Sequence, residues 1–337
     1  MADLRTNWLG LELANPFVPS SSPLSRDLDA AKRLEDAGAA AIILHSLFEE
    51  QIEHETAHAD RFLEEQSLGF GEAGDFHPTA HDFCSTEDAY LEHLARMKSA
   101  LDIPVVASLN GVTPGGWTHH ARALEEAGAD ALEANVYYLA ADAHETPREV
   151  EDRYLDIVTL LSGQVRIPVT MKLSPQLTAP IDFVRRLENA GAAGVSLFNR
   201  FYQPDIDLET LAVKPTLELS TAAEARLRIR WTALLRDHVA CSIGVTGGFH
   251  EADDTIKALL AGADVVHLCS VLLQRGPGAL ADLREALAAW LDDHEYVSVA
   301  QSRGSISRSR AIDPAAWERA NYLDVLDSYS RPDGVLG

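Results

Sequence analysis

One phrase recurs four times in this chain and sets the terms for its fold. Ala37-Gly-Ala-Ala-Ala-Ile-Ile-Leu44 returns as Ala127-Gly-Ala-Asp-Ala-Leu-Glu-Ala134, as Ala190-Gly-Ala-Ala-Gly-Val-Ser-Leu197 and as Ala261-Gly-Ala-Asp-Val-Val-His-Leu268. In each copy a helical pattern rich in Ala, Leu and Glu stops at a glycine able to take a left-handed backbone. A short apolar run follows at once, as a buried parallel strand requires. A second phrase, Ile-Pro-Val, opens apolar runs at 103–105 and 167–169, where proline is tolerated because it begins the strand.

These signals give eight strands, at 16–20, 40–45, 103–109, 130–135, 168–173, 193–199, 240–245 and 264–268. Helical patterns separate them, near 27–37, 87–100, 115–127, 147–163, 180–190, 220–237, 251–261 and 278–292. Eight alternating units predict a (β/α)8 TIM barrel. A doubly wound sheet is the alternative, but it would more often carry a Gly-rich turn after its first strand, where this chain has Ser20-Ser-Ser-Pro-Leu-Ser25. The barrel is expected over 1–292, with a long insert at 46–86 after strand two and a second at 200–219 after strand six. A C-terminal extension with helical character, 293–337, follows. Loops after strands stand at the catalytic face of a barrel, which puts both inserts on the substrate side.

Composition narrows the partners. With 28 basic and 52 acidic residues the formal charge is −24, which argues against binding a phosphate backbone by bulk charge. No apolar run reaches the ~18 residues a membrane span needs. Three scattered cysteines, Cys84, Cys241 and Cys269, form no disulfide or iron–sulfur pattern, which suits a reducing, cytoplasmic setting. His54-Glu-Thr-Ala-His58 fits the HExxH zinc pattern, with His77 and His81 nearby. Its surroundings are acidic on every face, so a solvated helix is the better reading and no metal site is expected.

Polar residues at the strand ends should converge on one mouth. They are Ser20, Ser21 and Ser22; His45 and Ser46; Ser108 and Asn110; Glu133 and Asn135; Lys172; Asn199; Thr246, Gly247 and Gly248; and Cys269 and Ser270. The Gly247-Gly248 pair and Ser270, after strands seven and eight, have the location and donors of a barrel phosphate site; plain turn glycines are the simpler alternative. Lys172 lies in an apolar strand and is one of five lysines. A buried lysine serves as a positive charge against a reduced flavin, as a Schiff-base former, or as half of a structural ion pair. Asn110, Asn135 and Asn199 offer donors and acceptors suited to a heterocycle with alternating C=O and N–H groups.

Taken in order, Asn15-Pro-Phe with Ser20-Ser-Ser, Glu133-Ala-Asn135, Met171-Lys172-Leu-Ser-Pro175, Asn199 and Val245-Thr-Gly-Gly248 resemble the dihydroorotate dehydrogenase family over roughly residues 4–290. The resemblance implies an FMN-binding barrel and a homodimer. It places Ser20 and Ser21 along the flavin, Asn110, Asn135 and Lys172 at the cofactor, and Gly247, Gly248, Cys269 and Ser270 at its phosphate. Asn199, with Asn135, would meet the substrate. The chain also departs from the family. The usual Lys-Ser pair after strand two is His45-Ser46, and the position of the family's cysteine or serine base is Tyr138. The family's substrate-binding asparagine and glycine motif is not visible between 46 and 86. Proton transfer therefore falls to Tyr138, His45 or His144. The implied activity is hydride transfer between a dihydropyrimidine-like substrate and flavin. A Schiff-base lyase using Lys172 and an FMN-holding subunit serving a redox partner protein are the alternatives.

Overall fold

The Ala-Gly-Ala phrases are helix-to-strand joints in the folded chain. Their glycines, Gly38, Gly128, Gly191 and Gly262, have φ of +102°, +99°, +111° and +125°, a region that costs L side chains dearly. The computed structural model describes residues 1–52, 85–111, 114–318 and 322. The HExxH segment, His77, His81 and Cys84 lie outside the described residues, as does most of the 46–86 insert and of the tail beyond 318.

In chain order the strands are β1 (Thr6–Trp8), β2 (Leu11–Leu13), β3 (Phe17–Pro19), β4 (Ile42–Phe48), β5 (Val105–Asn110) and β6 (Ala131–Asn135). They continue with β7 (Val169–Leu173), β8 (Gly194–Leu197), β9 (Asp205–Asp207), β10 (Ala212–Lys214), β11 (Ser242–Thr246) and β12 (Val265–Leu268). Eight of them form one parallel sheet in the order β3-β12-β11-β8-β7-β6-β5-β4. Its two ends meet where the Ala40 N–H donates to the Phe17 carbonyl at 3.0 Å. The result is the (β/α)8 barrel that the eight sequence runs predict. The helices that separate the strands are α1 (Leu28–Asp36), α2 (Thr86–Ala100), α3 (Pro114–Glu126), α4 (Pro147–Gln164), α5 (Pro180–Asn189), α6 (Ala225–Leu235) and α7 (Ala252–Ala261). After β12 come a short α8 (Ser270–Arg275), α9 (Gly278–Asp293) and α10 (Val299–Ser302). Capping boxes start α2 at Ser85 with Asp88 and α4 at Thr146 with Glu149, satisfying amide groups that the helix itself leaves unpaired.

The β1–β2 hairpin stands outside the eight-strand pattern. Leu9 and Gly10 turn it with positive φ at both positions, the geometry of a two-residue hairpin loop. It packs Trp8, Leu9 and Leu13 against Val18, Ala41, Ile43, Val106 and Val265, closing the end of the barrel opposite the catalytic mouth. The second insert forms a separate β9–β10 hairpin that exposes Ile206, Leu208, Leu211 and Val213. Among the described residues no helix is long and apolar enough to cross a membrane.

The described part of the C-terminal extension is pinned to the barrel. Backbone N–H groups of Gly304, Ile306 and Arg308 donate to the carbonyls of Leu259, Leu260 and Ala233, on α7 and α6. Arg303 reaches the carboxylate of Asp264, just ahead of β12, which Arg236 also holds at 3.1 Å. Burial pushes the Asp264 carboxyl up, and the two guanidinium groups offset that cost. Replacing Arg303 with Ala leaves Asp264 with one cation, and we expect a loss of about 1–3 kcal/mol. Urea unfolding of the full chain measures it; an unchanged midpoint would show that this contact does not anchor the tail.

Candidate active site

The strand ends open into a cavity of about 760 Å³, a size ordinary for a small-molecule or cofactor site. Its lining includes Ser20, Ser21, His45, Asn110, Asn135, Lys172, Asn199, Gly247, Gly248, Cys269 and Ser270. Eleven of the thirteen residues singled out from the sequence as catalytic or binding groups therefore meet in one space. Tyr138 and His144 are the exceptions.

The floor is charged and buried. Lys172 Nζ donates to Glu133 Oε1 at 3.3 Å, and Glu133 is fully buried. The two stand on neighbouring strands, with Lys172 opposite Asn135 across β6–β7 and opposite Ser196 across β7–β8. Asn199 Nδ2 donates to Asn135 Oδ1 at 2.6 Å. That bond leaves the Asn135 amide N–H groups and the Asn199 carbonyl to meet a ligand. On the β3 side, Ser21, Ser46 and Ser108 form a hydroxyl chain with Oγ···Oγ distances of 3.3 and 2.9 Å. The Ser20 N–H donates to the Leu268 carbonyl.

The opposite wall is the glycine turn. Gly247 and Gly248 have φ of +89° and +97°, and a Cβ on Gly248 would run into the backbone nitrogen of Ala225. Only glycine lets the turn lie this close to the start of α6. The buried Arg228 guanidinium stands behind it, donating through Nε to the Thr246 carbonyl at 2.9 Å. Sequence reasoning missed Ser220. Its Oγ accepts from the Gly248 N–H at 3.1 Å and donates to Ser270 Oγ at 2.8 Å. In the sequence Ser220-Thr221 reads as a helix cap, and the tertiary fold alone brings it to Ser270. Arg200 was missed too; it lines the cavity and is held by Glu224 at 3.1 Å.

The two tyrosines after β6 exchange roles. Beyond Asn135, where β6 ends, the next three side chains go different ways. Val136 packs into the core, Tyr137 lines the cavity, and Tyr138 points elsewhere. The Tyr138 hydroxyl donates to both Glu145 oxygens, at 2.9 and 2.8 Å, beneath the Arg153 guanidinium. That carboxylate pushes the phenol above its ordinary value. Tyr138 is therefore misplaced for proton transfer in the cavity, and His144, absent from the lining, is as well. Tyr137 takes the place at the wall, its hydroxyl accepting from the Tyr202 N–H at 3.0 Å.

Two histidines touch the cavity. The register between β4 and β5 slips between Ile43 and Ser46, one extra residue on β4, and this bulge sets His45 at the rim. Burial, then the charges of His93 and Arg26, lower His45 to about 4. His267, on β12, is fully buried against Trp8, and neither ring nitrogen has a hydrogen-bonding partner among the described residues. Burial and then Lys172 depress it to about 3. Cys269 also lies at the cavity, its thiol raised by burial, which fits a structural rather than a reactive group.

Comparison with known proteins gives the family. Residues 3–291 match the family described as Dihydroorotate dehydrogenase. The chain belongs to that family. The catalytic subunit of dihydroorotate dehydrogenase B (NAD(+)) from Thermoplasma volcanium is 25% identical, over 90% of this chain and 98% of the relative. Dihydroorotate dehydrogenase A (fumarate) from Lactobacillus delbrueckii subsp. bulgaricus is 27% identical over 79% of this chain and 86% of its own length. The NAD-dependent dihydropyrimidine dehydrogenase subunit PreA of Escherichia coli is 23% identical over 90% of this chain and 76% of its length. The chemistry that goes with the family is flavin-dependent dehydrogenation.

The buried imidazole of His267 gives a testable pH effect. Below its usual value near 6.5 the unfolded chain takes up a proton that the folded chain refuses. Stability is therefore lost as the pH falls from 7 toward 4, and His45 contributes with the same sign. A His267→Gln variant should lose less melting temperature between pH 7 and 5 than the parent. Equal losses would show that His267 is protonated in the folded state.

Proposed function

We propose that the protein is an FMN-dependent dehydrogenase acting on a dihydropyrimidine-like substrate. The observation that carries this reading is the cavity floor, where the Lys172–Glu133 pair stands beside the Asn135–Asn199 amide pair within one hydrogen-bonded layer. The donor set fits the cofactor. Gly248 N–H, Ser270 and Ser220 hydroxyls and the Gly247 backbone suit a phosphate, with the Arg228 charge behind them. Ser20, Ser21, Asn110, Asn135 and Lys172 suit the ring. Bound FMN would supply the hydride acceptor at its N5 position.

The side chains supply the rest. Glu133 occupies one of the three Lys172 donors, leaving others for an anionic ring edge. Asn199 and the free amide of Asn135 would orient the substrate's C=O and N–H groups. Tyr137, Tyr202, Phe48 and Leu217 provide apolar surface at the cavity wall. His45, neutral at the rim, is the group we assign to proton transfer from the substrate, in place of Tyr138. The Schiff-base alternative is disfavoured by the same floor, because its nucleophile works as a free amine while Lys172 is ion-paired with a buried carboxylate. We attach a second chain, either a copy of this one or a redox partner, to the exposed apolar β9–β10 hairpin.

The visible spectrum of the freshly purified protein is the direct test. We expect a yellow protein that releases FMN into the acid supernatant and bleaches anaerobically with dihydroorotate or dihydrouracil. A colourless protein that takes up no added FMN would sink the reading. Lys172→Ala should lower the rate of flavin reduction at least ~100-fold, as loss of a charge aimed at the reacting centre does; unchanged rate and flavin content would remove its assigned role.

A further inference from the structure

A second cavity, of about 620 Å³, opens beside the first and shares Arg26, His45, Ser46 and Gln51 with it. Its far side is one face of α2, where Thr86, Ala89, Tyr90, His93 and Arg96 recur at helical spacing. Of its lining, only His45 enters the proposed chemistry. Its charge is one-sided. Arg26, Arg96 and two imidazoles line it, and no carboxylate does among the described residues. The Arg26 and Arg96 guanidinium groups are exposed and make no ion pair or hydrogen bond with described residues.

The imidazoles are placed rather than loose. His93 Nε2 donates to the Ser25 carbonyl at 2.8 Å, which fixes the ring. The His45 ring packs edge-on to Tyr90 at 5.0 Å and lies 5.5 Å from His93, between centroids. The His45 N–H of the backbone donates to Ser25 Oγ at 2.6 Å. Its Nδ1 is buried without a partner among the described residues, at the boundary of the two cavities.

We propose that this side cavity is an anion site that takes the carboxylate or phosphate group of a small ligand. Two unpaired guanidinium forks are the side chains best matched to such groups. A local positive cleft is also what an anion needs on a chain of charge −24, whose general surface repels it. The electrostatics around His45 agree: beyond burial, which is the larger cause, the neighbouring His93 and Arg26 each disfavour a further proton there. An anion between them offsets that repulsion. The site stands independently of the flavin reading, since none of the phosphate-loop or floor residues belongs to it.

The test uses the full-length protein as purified, its flavin content recorded, with inorganic phosphate as the probe. Histidine ring NMR signals and calorimetry should report saturable binding at one site, with His45 and His93 shifting together. Arg26→Gln combined with Arg96→Gln should weaken that binding about ten-fold or more, the scale of one lost charged hydrogen bond. A matched loss of charge elsewhere, Arg5→Gln with Arg148→Gln, should leave it unchanged. Phosphate affinity equal in the parent and the Arg26/Arg96 double variant would overturn the proposal, as would no saturable binding to the parent. Orotate then separates the two sources of the anion. Displacement of phosphate assigns the pocket to the substrate's own acid group, and simultaneous binding assigns it to a separate ligand. A colourless protein that still binds phosphate would count against the flavin reading and leave the anion site standing.

Discussion

The Lys172–Glu133 pair is the constraint around which the catalytic end is built. Two opposite charges inside a barrel are tolerated only when each is the other's partner, and removing one strands the other at a cost of about 3–5 kcal/mol. Neighbouring strands β6 and β7 satisfy that condition through their register, which also sets Asn135 opposite Lys172. Ser196 lies on the next strand, with its hydroxyl 3.5 Å from the second Glu133 oxygen. The amide pair at the mouth thus inherits its position from the ion pair beneath it. A floor assembled from strand residues is rigid, and rigidity is what a site needs to hold a planar ring in one pose.

Around this floor the walls follow different rules. The Gly247–Gly248 turn is tight because α6 begins against it, so its conformation is set by packing as much as by any ligand. Ser220 arrives from the end of the 200–219 insert and completes the donor set. The wall proposed to meet a phosphate is therefore shared between the barrel proper and an insert. Loop variation can alter the substrate side while the strand-borne floor stays as it is, which is the general economy of barrel enzymes.

The barrel was legible because its signals are local and repeated. Each of the eight apolar runs became a strand, with bounds off by a few residues, since glycine stops and apolar runs are read without tertiary knowledge. The β1–β2 hairpin was not read: three-residue strands carry no periodicity, and Leu9-Gly10 is not one of the strong turn pairs. The site was legible where side chains sit on strands, as at Lys172 and Asn135. It was not where loops decide. Counting residues from Asn135 points to Tyr138 but cannot tell which way a loop side chain turns, and the fold gives the cavity to Tyr137. Glu133 was noted as a strand-end residue, but its role as the partner of Lys172 needed the register.

The distribution of charge ties the two cavities together. The chain is strongly acidic, yet Lys172, Arg200, Arg26 and Arg96 all stand at the catalytic end. At physiological salt a surface charge is felt over only about 8 Å, so the net charge governs solubility and approach rather than recognition. Inside the clefts the walls exclude water and the local groups decide. In the proposed reading a neutral ring would meet the Lys172 floor and the amides, and an acid group would meet Arg96 of α2 and Arg26 of the turn after β3. His45 belongs to both spaces, so its protonation answers to both. On the proposed reading, a negative group in the side cavity would offset the part of the His45 shift that comes from His93 and Arg26, burial being the larger cause, and would make the imidazole a better base. The bulge in β4 that sets His45 at the rim thus puts one titratable ring on the boundary of both cavities, where charge in one would be felt as basicity in the other.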